Sequence, residues 1–224
     1  MVKNLNEYID FSNKINQYIS RIMIDNGINF EEYSYSQVWE SVQSLGVVIR
    51  GFNFEGIASK QISGMLVQDN LETTIVYNQR LDDKNKNFAI SREIIHYLFH
   101  RDEINNMFVD MQKKVDHSYY KDLCEFQADI GASAILIPDC VLIHFLKKGW
   151  NLTQLSDHFG ISESKLYVRL IQMMQSNLGM SITASKKLAH DIQFGFYGRG
   201  KAAGHALAAD LECCLKEADL IPIF

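Results

Sequence analysis

Phe88-Ala89-Ile90-Ser91-Arg92-Glu93-Ile94-Ile95-His96-Tyr97-Leu98-Phe99-His100 is the stretch on which the reading of this chain turns. Its apolar positions predict a helix of about 13 residues over 88–100. Inside it, Arg92-Glu93-Ile94-Ile95-His96 differs by one residue from His-Glu-x-x-His. That spacing stacks two imidazoles on one helix face around a metal ion, and the Glu serves as general base for the metal-bound water. Glu93 and His96 are in place, but Arg92 stands where the first imidazole belongs. A guanidinium is cationic at every accessible pH and has no lone pair for a metal. Glu-x-x-His alone is common by chance, so its flanks decide.

Downstream, Glu125-Phe126-Gln127-Ala128-Asp129 lies on a second helix predicted from about Tyr119 to Ile137, where Pro138 stops it or opens the next. A Glu followed four residues later by Asp is the gluzincin arrangement, in which the Glu is the third zinc ligand and the Asp orients a ligand His. Ala132, Leu136, Ile137 and Pro138 complete a longer pattern. Residues 88–100 resemble the central helix of the ImmA/IrrE metallopeptidases, which typically reads Ala-His-Glu-Leu-Gly-His with another His four residues on. Residues 125–138 resemble that family's second motif, Glu-x-x-Ala-Asn-x-x-Ala followed by Leu-Met-Pro.

The resemblance covers about residues 1–176. It implies a zinc peptidase scaffold of the anti-repressor kind found in phages and mobile elements, whose partner is a helix-turn-helix repressor. Carried over residue by residue, it makes Glu93 the catalytic base, His96 and Glu125 the metal ligands and Asp129 the group behind them. Two departures bear on activity: Arg92 replaces the first His, and Ile95 replaces the usual Gly. Two protein ligands fall short of the three that a catalytic zinc site uses. The expectation is therefore a scaffold with lost or weakened catalysis and zinc absent or weakly held. The alternative is an active endopeptidase with an unidentified replacement ligand. His96 and His100 are also four residues apart, but a metal between them would sit one turn, about 6 Å, along the helix. The family's own second His makes packing the better account of His100.

Working outward, Leu5 to Met23 shows helical periodicity closed by Gly27. Ser34 and Gln37 read as a capping box for a second helix that ends at Gly46. The period then changes to short β-type runs at Val47–Ile49, Ile62–Val67 and Thr73–Tyr77, with Asp69-Asn70 as a turn. A polar loop is expected over 78–87. Residues 139–148 read as helix, and 152–158 and 162–172 as helix, turn, helix. The fold class is therefore α+β, a sheet of about three strands with a mainly helical, zincin-like body. The domain expectation is a metallopeptidase-like region over 1–176, including helix-turn-helix-like helices at 151–175, and a helical extension over 177–224.

A net charge of −5 argues against bulk attraction to DNA or anionic membrane. The richest apolar run, Ala134 to Phe145, is interrupted by Pro138 and Asp139, and no run nears the roughly 20 residues of a span. With no signal-peptide pattern, a cytoplasmic location is expected. Cys124, Cys140, Cys213 and Cys214 have no paired spacing and read as reduced thiols. Gly195 to Ala202 nearly spells a phosphate loop, but Ala202 replaces the Mg²⁺-binding hydroxyl and a helix precedes it. Residues 152–170 carry mixed charges, Asp157 and Glu163 against Lys165 and Arg169, so direct DNA binding is not expected. Arg92, finally, should face Glu125 and Asp129 and bridge them, and its removal should cost a few kcal/mol because the carboxylates would be left unpaired.

Overall fold

The change of period at Val47 is a change of structure. The computed structural model describes residues 5–69, 71–101, 117–194 and 198–217, which form helices and one small sheet. The helices are α1 (Leu5–Asp25), α2 (Tyr35–Ser44), α3 (Ala58–Gln61), α4 (Asp83–Phe99), α5 (His117–Leu136), α6 (Asp139–Lys147), α7 (Leu152–Phe159), α8 (Glu163–Asn177), α9 (Ile182–Phe194) and α10 (Arg199–Glu217). The strands are β1 (Val47–Phe52), β2 (Gly64–Gln68) and β3 (Thr73–Asn78). The fold is α+β, and the chain divides into two compact units, residues 39–132 and residues 1–38 with 133–224.

In the unit of residues 39–132 the sheet order is β1-β3-β2, with β1 parallel and β2 antiparallel to β3. At the β2–β3 turn, Asp69 N–H donates to Glu72 O at 3.1 Å, and Asp69 Oδ1 accepts from the Leu71 and Glu72 N–H groups, each at 2.8 Å. That is an Asx-type turn; Asn70 lies outside the described residues. Ile62 is not in a strand. Its N–H donates to Ala58 O and caps α3, so β2 starts at Gly64.

Helix α4 packs against β2 and β3. It begins at Asp83, inside the stretch that reads as a polar loop. Asp82 is its N-cap, accepting from Asn85 N–H at 3.0 Å, and Lys86 pairs with Asp83 at 3.1 Å. Capping and first-turn charge set this start, and apolar periodicity, which begins only at Phe88, does not register them.

In the other unit, α1 packs on α8, α6 on α10, and α9 on both α8 and α10. Ile15, Ile19, Met23, Leu142, Leu170 and Leu211 form part of its buried core. A buried polar knot lies among them. Arg169 donates to Ser133 O at 2.6 Å, to Ile137 O and to Asp139 Oδ1. Asp139 Oδ2 accepts from Asn16 at 3.0 Å, and Asn16 Oδ1 accepts the Asp139 N–H at 2.9 Å. The guanidinium thus satisfies carbonyls left open at the end of α5. Helices α7 and α8 are joined through Gly160, whose φ of 60° is the left-handed C-cap conformation. Helix α9 lies on α8: Tyr167 OH donates to Lys186 O at 3.2 Å, and Gln193 donates to Glu163 at 3.0 Å. Among the described residues, no single helix is long and apolar enough to cross a membrane.

Candidate functional site

Arg92, Glu93, His96, Glu125 and Asp129 fall in the unit of residues 39–132, on α4 and α5, whereas Leu136, Ile137 and Pro138 of the second motif belong to the other unit. The two helices meet closely because Gly131 has no side chain. A Cβ on Gly131 would stand 2.4 Å from Ile95 Cδ1, and Ile95 is fully buried. The departure at Ile95 therefore has a partner: bulk on α4 is received by its absence on α5. The sequence reading flagged Ile95 and missed Gly131, whose role shows only in its contact with Ile95. On the other side of α4, Trp39 Nε1 donates to Ser91 Oγ at 3.2 Å.

Arg92 crosses from α4 to both acidic positions of α5. Its Nη2 donates to Glu125 Oε2. Its Nε lies 3.1 Å from Asp129 Oδ1, yet this N–H is not aimed at the oxygen, so the contact is an ion pair without a hydrogen bond. The guanidinium side chain is about three-quarters buried, while Glu125 and Asp129 are about half exposed.

His96, one turn further along α4, places Nε2 3.8 Å from Glu125 Oε1. Its other nitrogen, Nδ1, is 3.0 Å from His100 Nδ1, and His100 Nε2 is 2.7 Å from Gln127 Oε1. His100 is buried, with an exposure of 2%. Burial first, then the neighbouring His100 and Arg92, hold the His96 imidazolium down to a pKa of about 4, so the ring is neutral at pH 7. The two imidazoles are engaged with each other through Nδ1. Gln127, which no motif marks, closes the chain of contacts.

Glu93 points from α4 to the sheet. Its carboxyl is pushed up to about 7 by burial, against the opposing pull of Arg92 and of the Leu66 backbone N–H. The strand register explains why that N–H is available. Asn78 N–H donates to Ser63 O, so residues 63, 65 and 67 face β3 through their backbone groups. Leu66 therefore turns its N–H outward, at the edge of the sheet, where Glu93 receives it. Gly64 leaves room for this: a Cβ there would lie 3.2 Å from Glu93 Cγ and 3.3 Å from Val76 O.

The structure thus brings Arg92, Glu125 and Asp129 into one contact group and sets His96 beside Glu125. Glu93 lies against the edge strand. Among the described residues, no group of three or more His, Cys, Asp or Glu side chains is arranged to hold a metal ion. Chemically the cluster offers one buried carboxyl poised near neutrality, one neutral imidazole, and a carboxylate pair balanced by a fixed cation. A family model described as IrrE N-terminal-like domain, of a peptidase family, matches residues 42–170. No curated protein and no solved structure matches the chain.

Proposed function

Because the chain belongs to the IrrE N-terminal-like peptidase family, we propose that it acts as a peptidase-like regulator of a helix-turn-helix repressor from a phage or mobile element, with hydrolysis lost or weakened. The observation that carries the loss is the Arg92 guanidinium seated on Glu125 and beside Asp129. A metal ion needs Glu125 as an electron-pair donor, but its Oε2 is engaged with a cation. The position that should add a second imidazole adds a positive charge. His96 and Glu125 alone fall below the three protein ligands of a catalytic zinc centre. The residues present do not fit zinc as the family holds it, and no hydrolytic step is assigned to Glu93. What the scaffold keeps is a pair of helices able to hold a protein partner in the cytoplasm, where such a repressor works.

The test uses the purified chain and a candidate helix-turn-helix repressor. Mixed without added metal, the two should co-elute, with the repressor at its full intact mass. Metal analysis should find less than one zinc per chain. Repressor fragments together with stoichiometric zinc would overturn the reading and favour the active endopeptidase, in which the facing His96 and Glu125 gain a further ligand. Absence of any complex would remove the regulatory role.

A further inference from the structure

His96 has more support than a leftover residue needs. Gln127 presents Oε1 to His100 Nε2 at 2.7 Å. A carbonyl oxygen only accepts, so His100 Nε2 carries a proton. Both rings are largely withdrawn from water, which favours neutral imidazoles. In a neutral ring protonated at Nε2, Nδ1 is bare. His100 Nδ1 lies 3.0 Å from His96 Nδ1, and the single proton of that hydrogen bond must come from His96. His96 is thereby held as the Nδ1–H form, and its lone pair is left on Nε2. That nitrogen is the one facing Glu125, at 3.8 Å from Oε1.

We propose that Gln127 and His100 are positioning residues that hold His96 as a ready metal ligand, and that the Arg92 guanidinium and a divalent metal ion are alternative occupants of one place. A ligand imidazole needs its other nitrogen tied to an orienting partner, and the relay from Gln127 through His100 does this. The cation at Arg92 meets the charge of Glu125 and Asp129, as a metal would, but leaves the His96 lone pair uncoordinated. Every part of a three-ligand site except residue 92 is thus in place. This rests on reading the cluster as a degenerate metal centre and is independent of any partner protein.

The first test is nitrogen-15 NMR of the histidine rings in the unaltered chain, without metal. His96 should show a protonated Nδ1 and a bare Nε2, and His100→Phe should release that preference. The second is zinc titration against a chromogenic chelator. The unaltered chain should fail to compete, and Arg92→His should take up one zinc per chain. Arg92→His combined with Gln127→Leu, or with His100→Phe, should bind that zinc about 10–100-fold more weakly, with folding checked by circular dichroism. A protonated Nε2 on His96 in the unaltered chain would overturn the relay, as would equal zinc affinity with and without His100. Stoichiometric zinc in the unaltered chain would overturn the exclusion by Arg92. If Arg92→His does not fold, the tautomer measurement in the unaltered chain still decides the relay. A failed repressor complex would leave both results untouched.

Discussion

Glu93 and Arg92 are neighbours in sequence with opposite electrostatic histories. Glu93 gives up water for the sheet, and burial raises its pKa to about 7. A carboxyl whose folded pKa lies above its unfolded value contributes stability at pH below the unfolded pKa, near 4.5, and loses it as pH rises through about 7. Relative to Glu93→Gln, the unaltered chain should therefore lose about 1.4 kcal/mol per pH unit across that window. Urea midpoints of both proteins at several pH values would measure it, and parallel pH dependences would contradict it. For Arg92 the sequence suggests a cost of a few kcal/mol on removal, because the carboxylates would be left unpaired. Glu125 and Asp129 are half exposed, so water takes over much of the pairing. Arg92→Ala should cost about 1 kcal/mol, as partly solvated ion pairs do. A loss above about 3 kcal/mol in the same urea assay would instead mark the pair as buried in its energetics.

Between elements, small residues and satisfied polar groups set the geometry. Gly131→Ala puts a Cβ into Ile95 and should destabilise the chain by about 1–3 kcal/mol, as overpacking does. Ile95→Ala should cost stability alone but restore part of it to Gly131→Ala, and a thermodynamic cycle of the four proteins would show this coupling. No coupling would mean that the helices do not meet through these residues. In the other unit, Arg169→Met would leave Asp139 buried without its cation and should cost about 3–5 kcal/mol. Thermal unfolding would reveal it, and a shift within error would show that the knot is dispensable. The two motif helices and the three strands were legible because each has a period or a motif of its own. The start of α4 and the gap at Ile62 were not, because each depends on a single cap. The Ser34–Gln37 box was half legible: Gln37 accepts the Ser34 N–H at 2.9 Å, while the Ser34 hydroxyl pairs locally with Ser36. The motif positions are short-range facts. Gly131, Gln127 and the outward Leu66 N–H depend on what lies across a contact, and no local pattern marks them.

At the scale of the molecule, net charge and coverage bear on the helix-turn-helix-like pair. Helix α9 lies on α8, and Arg169 is turned into the core. With a net charge of −5, the chain should give no saturable binding to a duplex of about 25 base pairs at ~150 mM salt in fluorescence anisotropy. An affinity falling steeply with added salt would contradict this. The sheet adds a different consequence. A strand at a sheet margin is a template on which other chains can polymerise, and β2, with Met65 and Val67 about 40% exposed, is such a margin. Glu93 occupies the hydrogen-bonding slot at its middle with a bulky polar group that a fourth strand would have to evict. A carboxyl in that slot disfavours addition of a further strand, a consequence of where Glu93 sits that does not depend on hydrolysis.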